Sequence, residues 1–229
     1  MSGETVASVL TPDLLLAAYA AGIFPMSDGA DAADIYWVEP DERGIFPLDA
    51  LQLPRRLART IAANPFEVRV DSDFSGVIDN CAASRPDRDA TWINGEIRRL
   101  YGELFAMGAC HTVECWRDGV MVGGLYGVRI GGAFFGESMF HTVTDASKVA
   151  LAHLWARLIA GGFTLLDTQF ITSHLASLGA IEIPRAEYRS RLRAALAVRG
   201  DWRALPARTS GRAVVEIIRS HRRDHAAGG

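Results

Sequence analysis

The sequence predicts an α+β fold, and three observations carry that prediction. Helical and strand periodicities occur in separate runs, three adjacent strand patterns are joined by tight-turn dipeptides, and capping residues mark the helix ends. A parallel α/β sheet would instead alternate strand and helix throughout.

The elements follow in order. Residues 11–22 read as a helix, with Thr11 as N-cap, Pro12 at the first position and Gly22 as the stop. An irregular aromatic stretch comes next, Ile23-Phe24-Pro25-Met26 and Ile35-Tyr36-Trp37. A strand-like piece at Gly44-Ile45-Phe46-Pro47 leads to a helix carrying Arg55, Arg56 and Arg59. Alternation predicts a strand over 66–70, and helical spacing predicts helices over 74–81 and 97–107. Strands are expected over 111–117, 120–129 and 132–140, with Asp118-Gly119 as the strongest hairpin signal and Gly131-Gly132 as the second turn. An amphipathic helix follows, capped by Asp145 and stopped by Gly161-Gly162, with Val149, Leu151, Leu154, Trp155, Leu158 and Ile159 inward. A strand over 163–170, a short helix capped by Ser173 and ending at Gly179, and a final Arg-rich helix over 187–198 complete the reading. The texture changes after residue 62, which divides a small N-terminal α+β domain (1–62) from a larger one with a basic C-terminal tail (63–229). The order of elements in the larger part suggests the N-acetyltransferase (GNAT) kind of α+β domain.

A chain of 229 residues, 49% hydrophobic and 22% charged, can bury a sizeable core. No apolar run approaches the roughly 18 residues of a membrane span, and the N-terminus lacks the basic-then-apolar pattern of a secretory leader. Cys81, Cys110 and Cys115 are odd in number and lack CxxC spacing, which argues against a disulfide framework and a zinc site and fits the cytoplasm. The net charge of −3 conceals an asymmetry: from Arg185 onward eleven Arg face four acids. A solvated helix face and a nucleic-acid surface both fit that bias.

Asp167 and Gln169 lie two apart in a predicted strand and so on one face, where a carboxylate is unusual; a structural Asp satisfied by backbone amides is the other reading. Glu137 follows Phe134-Phe135 into an apolar neighbourhood, as a group paired with a cation or as part of a site. Asp145 reads as a cap and Lys148 as solvated. Trp92 sits in a loop before a helix, either as core or as a platform on which a base could stack. His111, His153 and His174 do not have ligand spacing, so no metal is expected.

Several blocks resemble one family. Tyr19-Ala-Ala-Gly-Ile-Phe-Pro25, Thr91-Trp92-Ile93, Val122-Gly-Gly-Leu-Tyr-Gly-Val128, Gly136-Glu-Ser-Met-Phe140, Asp145-Ala-Ser-Lys148, Leu166-Asp-Thr-Gln169 and the stretch from His174 to Arg185 look like signature blocks of leucyl/phenylalanyl-tRNA–protein transferases. They occur in the family's order, between about Thr11 and Tyr188. The resemblance implies a small N-terminal domain and a GNAT-like catalytic domain. It also implies transfer of Leu, Phe and less readily Met from aminoacyl-tRNA to proteins beginning with Arg or Lys, which marks them for the bacterial N-end rule. By position, Asp167 and Gln169 match the catalytic pair, and Leu125, Phe134, Glu137 and Met139 the amino-acid pocket. Trp92 matches a contact to the terminal adenosine, and Arg55, Arg56 and Arg59 fall in or beside a basic cluster facing the acceptor stem. The chain starts close to Thr11, Met26 stands where an aromatic is usual and His141 where Ser is usual.

An aminoacyl ester is already activated, so no cofactor is expected; alignment, a deprotonated amine and a dry site suffice. The expected partners are Leu-tRNA, Phe-tRNA and the acceptor protein, with the enzyme a monomer that needs no membrane. The carbonyl of Gln169 would accept a hydrogen bond from the attacking amine, with Asp167 fixing the amide and stabilising positive charge; the ribose 2′-hydroxyl is an equal candidate for the proton. Glu137 would hold either the acceptor's cation or the incoming amino group. An acetyl-CoA-dependent acetyltransferase fits less well, because the turn over 141–147 has no Gly and carries Asp145. A non-catalytic binder of protein N-termini would not require Asp167 beside Gln169.

Overall fold

The computed structural model describes residues 10–32, 34–83 and 91–226; residues 1–9, read above for a leader, lie outside that set. Helix α1 (Pro12–Ala21) starts where Thr11 Oγ1 accepts from the Leu14 amide (3.2 Å) and ends at Gly22, whose φ of 90° only Gly adopts freely. The aromatic stretch expected to be irregular forms a two-stranded sheet, β1 (Phe24–Met26) and β2 (Tyr36–Val38). Three-residue strands are too short to show a period.

Next come β3 (Glu42–Phe46), a 3₁₀ turn (Leu48–Ala50), α2 (Arg55–Ala62), β4 (Glu67–Val70), α3 (Phe74–Ala82) and α4 (Gly95–Ala106). The predicted meander is present as β5 (Cys110–Arg117), β6 (Val120–Ile130) and β7 (Ala133–His141). Asp118 and Gly119 both have positive φ (52° and 77°), as a type I′ hairpin turn requires. Then follow α5 (Ala146–Ala160), β8 (Leu165–Gln169), α6 (Ser173–Ser177), β9 (Ile181–Pro184), α7 (Arg185–Leu196) and α8 (Gly211–Ala226).

Seven strands form one sheet in the order β4-β5-β6-β7-β8-β3-β9, antiparallel except for the parallel pair β7–β8, which α5 connects. Because β3 lies between β8 and β9, the segments before and after residue 62 share this sheet. One core, on the α2, α5 and α8 face, contains Ile61, Leu151, Trp155 and Ile218; the other, on the α1, α3, α4 and α7 face, contains Tyr19, Val77, Tyr101 and Leu192.

Four expectations are corrected. α5 is buried on nearly every side, His153 and Arg157 included, because sheet, α2 and α8 surround it. Asp145 adopts φ 66° and its side chain caps nothing; it holds Lys148 Nζ at 3.1 Å instead. Thr172, not Ser173, caps α6 by accepting from the Leu175 amide (3.2 Å). Finally, α7 is not the last helix: the basic tail carries α8, and its Val214, Val215 and Ile218 pack into the core.

Candidate active site

The site forms where β7 and β8 part. Their pairing runs from Ala133↔Leu165 to Phe135↔Asp167 and stops. Each strand carries an extra residue just beyond. On β7, Tyr126 pairs with Ser138 and Gly127 with Gly136, so Glu137 is bulged; on β8, Gly44 pairs with Gln169 and Ile45 with Asp167, so Thr168 is. Bulges break side-chain alternation and re-aim residues. Here they let Glu137 turn toward Tyr19 and Tyr101 while Met139 packs against the opposite core. Gly127 permits the first bulge, since a Cβ there would lie 2.4 Å from the Phe135 carbonyl oxygen and a Phe134 ring carbon.

Two adjoining cavities occupy the gap. One of about 320 Å³ is lined by Phe24, Met26, Trp92, Gln169, Phe170 and His174. The other, about 80 Å³, is mostly apolar and ends on Phe46, Leu125, Leu151, Leu154 and Leu166. Glu137, Ser138, Met139, Thr168 and Leu175 border both.

Glu137 sits at their junction. Its Oε1 accepts from Tyr19 OH (2.6 Å) and, weakly, from Gln169 Nε2 (3.4 Å), and its Oε2 accepts from Tyr101 OH (3.0 Å). Burial pushes its carboxyl up to about 7 against the pull of the two tyrosines, with the charge of Asp167 adding to the rise. Both states are therefore populated near neutral pH.

Asp167 does not reach the cavity; it is completely buried. Arg43, 1% exposed, grips it with Nε on Oδ1 (2.9 Å) and NH2 on Oδ2 (2.6 Å). Tyr188 OH donates to Oδ2 (2.7 Å) and the Gln169 backbone N–H to Oδ1 (2.8 Å). The guanidinium lies 4.5 Å from the ring centroids of both Phe24 and Tyr188, and its NH1 donates to the carbonyl of Gly22, the α1 cap (3.0 Å). A buried charge pair persists only when so fully hydrogen-bonded. The same-face expectation for Asp167 and Gln169 is corrected: Gln169 has φ 57°, so strand alternation has ended, and only its side chain lines the cavity.

Other expected residues divide similarly. Leu125 and Met139 line the apolar pocket, and half-buried Trp92 stands at the wider cavity, edge-on to Tyr101. Phe134 is elsewhere: it is fully buried, stacked on Trp202 at 5.5 Å, and borders neither cavity. Arg55, Arg56 and Arg59 are exposed on α2, outside the cavities. Arg56 reaches Asp145 (3.7 Å), which also holds Lys148. His174, at the cavity wall, is held below the usual imidazole range by burial and then by Lys148 and His141, so basic groups extend from α2 toward the opening. Sequence reasoning passed over Arg43, Tyr19, Tyr101, Tyr188 and this role of His174. Tyr19 stood inside a signature block, whereas nothing local marks Arg43, whose partner is 124 residues away.

An apolar pocket, a carboxylate at its mouth and an amide whose backbone is held by a buried clamp suit an enzyme of the group-transfer class. The chain matches the leucyl/phenylalanyl-tRNA protein transferase N-terminal domain over residues 8–41 and the leucyl/phenylalanyl-tRNA protein transferase profile over residues 45–193. It belongs to this family and is a transferase. A leucyl/phenylalanyl-tRNA–protein transferase of Nitrobacter winogradskyi is 60% identical over 206 residues, 90% of this chain and 92% of that one. The one from Afipia carboxidovorans is 56% identical over 220 residues (95% and 97%), and the one from Caulobacter vibrioides 58% over 201 residues (88% and 93%). Among the described residues no helix is long and apolar enough to cross a membrane.

Proposed function

We propose that this chain transfers leucine, phenylalanine and, less readily, methionine from aminoacyl-tRNA to the N-terminal Arg or Lys of acceptor proteins. We place it in the cytoplasm, as a monomer feeding the bacterial N-end rule, with a GNAT-like catalytic unit; the splayed parallel pair β7–β8 in an otherwise antiparallel sheet supports that last reading.

The observation that carries the proposal is the junction of the two cavities. A leucyl or phenylalanyl side chain enters the narrow apolar pocket between Leu125, Leu154 and Leu166, which places its ester carbonyl beside Gln169. β-Branched Ile and Val are wider next to the backbone and meet Met139 and Thr168 at the entrance. One methylene discriminates by only about 1–3 kcal/mol, so related unbranched side chains share the site. The terminal adenosine stacks on Trp92, and Arg55, Arg56 and Arg59 take phosphates of the acceptor stem.

The acceptor's α-amine attacks the ester carbon, the new C–N bond forms and the bond to the ribose oxygen breaks. That oxygen receives the proton the amine loses, directly or through the neighbouring 2′-hydroxyl. Gln169 Nε2 donates weakly to Glu137, and in this scheme the Gln169 side-chain carbonyl oxygen accepts a hydrogen bond from the attacking amine. Asp167 is a positioning residue in this scheme: it holds the Gln169 backbone and never meets substrate. Ionised Glu137 holds an ammonium group, either the amino group of the incoming residue or the acceptor's cation. Alignment of the two substrates supplies up to roughly 7–11 kcal/mol.

The test incubates the protein with radiolabelled Leu-tRNA, Phe-tRNA or Ile-tRNA and proteins that differ only in their first residue. Label from Leu and Phe should enter acid-insoluble, RNase-resistant material when Arg or Lys is first. Transfer from Ile-tRNA at the same rate, or to any first residue, overturns the specificity assigned to this pocket.

A further inference from the structure

Helix α8 begins beyond residue 193, where the match to the family's main profile ends, and it lies against α2. The two run antiparallel. The Gly211 amide at the start of α8 donates to Asn64 Oδ1 (2.7 Å) just past the end of α2, while His221, near the other end of α8, is close enough to feel the charge of Asp49, just before α2. The contact at the first end is tight, since a Cβ on Gly211 would lie 1.8 Å from the Ile61 carbonyl oxygen.

The solvent sides of both helices are rich in arginine. On α2, Arg55, Arg56 and Arg59 are exposed and no acid is present. On α8, Val214, Val215 and Ile218 are buried, and Arg212, Arg219 and Arg223 fall at 3.6-residue spacing on an exposed stripe, with Arg222 also exposed. Arg223 pairs with Glu216 (3.1 Å), whereas Arg212, Arg219 and Arg222 form no ion pair among the described residues. Seven arginines thus face two acids, Glu216 and Asp224, on one pair of adjoining helices, and from neighbouring elements folding adds Asp145 beside Arg56 and Asp49 near His221. The positive excess that remains is suited to a polyanion, and Arg is the preferred partner of phosphate.

We infer that α8 extends the RNA-binding surface of α2, with Arg212, Arg219 and Arg222 contacting phosphates of the tRNA beyond its 3′-terminal nucleotides. This rests on the transfer reading above. Its route to the site is continuous: α2 meets the start of α5 through Arg56 and Asp145, and Lys148 leads from there to His174 at the cavity. Because such contacts read the backbone and not base identity, they strengthen binding of Leu-tRNA and Phe-tRNA alike.

The test compares two donors in the full-length protein: Leu-tRNA, and leucyl-adenosine, which has no stem. A triple variant, Arg212→Gln, Arg219→Gln and Arg222→Gln, should raise KM for Leu-tRNA at least about tenfold while leaving transfer from leucyl-adenosine unchanged. The slope of log KM against log salt should fall by about 2–3, at ~0.7–0.9 per lost phosphate contact. The corresponding triple Lys variant should keep most of the affinity, since charge is retained. Equal KM and equal salt slope in the Gln variant and the wild type overturn the inference, as does a loss shared equally by both donors. Failure of the wild type itself to use Leu-tRNA would instead sink the transfer reading.

Discussion

In the proposed mechanism Glu137 ties the chemistry to pH. Its carboxyl is pushed up to about 7, so the anion proposed to hold an ammonium group is lost as pH falls below that value. Transfer rates at limiting acceptor and donor should therefore rise from pH 6 to 8 in the wild type. In Glu137→Gln they should be about 10–100-fold lower at pH 8, the value of a charge-assisted hydrogen bond, with the step near pH 7 gone. A retained step assigns it to another group. Arg43 belongs to the same scale. Arg43→Ala leaves Asp167 buried without its cation, and chemical denaturation should show a loss of about 3–5 kcal/mol; a loss under 1 kcal/mol contradicts the clamp. The pairing of Asp167 with Gln169 was legible in the sequence because a carboxylate in a strand is conspicuous. The division of labour between them was not, since it depends on a positive φ and on a partner from β3.

Among the elements, the decisive features are two bulges on neighbouring strands. The sequence announces the meander clearly, because Asp118-Gly119 and Gly131-Gly132 punctuate regular alternation. A bulge moves the register by one residue without leaving a break in composition. Phe134 and Leu125, matched to one pocket by resemblance alone, share a core but lie apart along the ladder: Phe134 pairs with Arg129 and packs on Trp202, whereas Leu125 pairs with Met139 at the pocket. β1, β2 and β9 were missed because strands of three or four residues lack a period, and α8 because its charges resemble those of a solvated tail. Gly127→Ala tests the β7 bulge. Backbone and ring atoms at 2.4 Å cannot both give way, so the variant should lose about 2–3 kcal/mol or more and transfer activity with it. Thermal unfolding indistinguishable from wild type would show the bulge to be dispensable.

For the whole molecule, two groups on opposite faces of the sheet, half-buried Glu137 and buried His153, oppose each other in acid. Glu137 has a folded-state value raised to about 7, so the folded chain binds its proton first and gains stability as pH falls from about 7 to 4.5. His153 is pushed down to about 4 by burial and the charge of Arg157, so the unfolded chain binds that proton first and stability is lost from about pH 6.5 to 4. Each shift corresponds to about 3 kcal/mol, and the two nearly cancel. The wild type should thus keep a flat stability between pH 7 and 5. Glu137→Gln should become acid-sensitive there, and His153→Gln should become more stable at pH 5 than at pH 7.5; denaturant midpoints across that range check both. Parallel slopes in the two variants would contradict the assignment. Asp71 and Glu114 are both held below their ordinary values, chiefly by hydrogen bonds (from His111 and Ser72 foremost) that outweigh burial, so their contribution is lost only in stronger acid.

The proposed transfer depends on Gln169 meeting the attacking amine, with Asp167 behind it. Single-turnover transfer from Leu-tRNA to a protein beginning with Arg measures this most directly. Gln169→Ala should slow the transfer step by about 10²–10⁴-fold with tRNA affinity unchanged. A rate constant equal to that of the wild type would contradict the assignment.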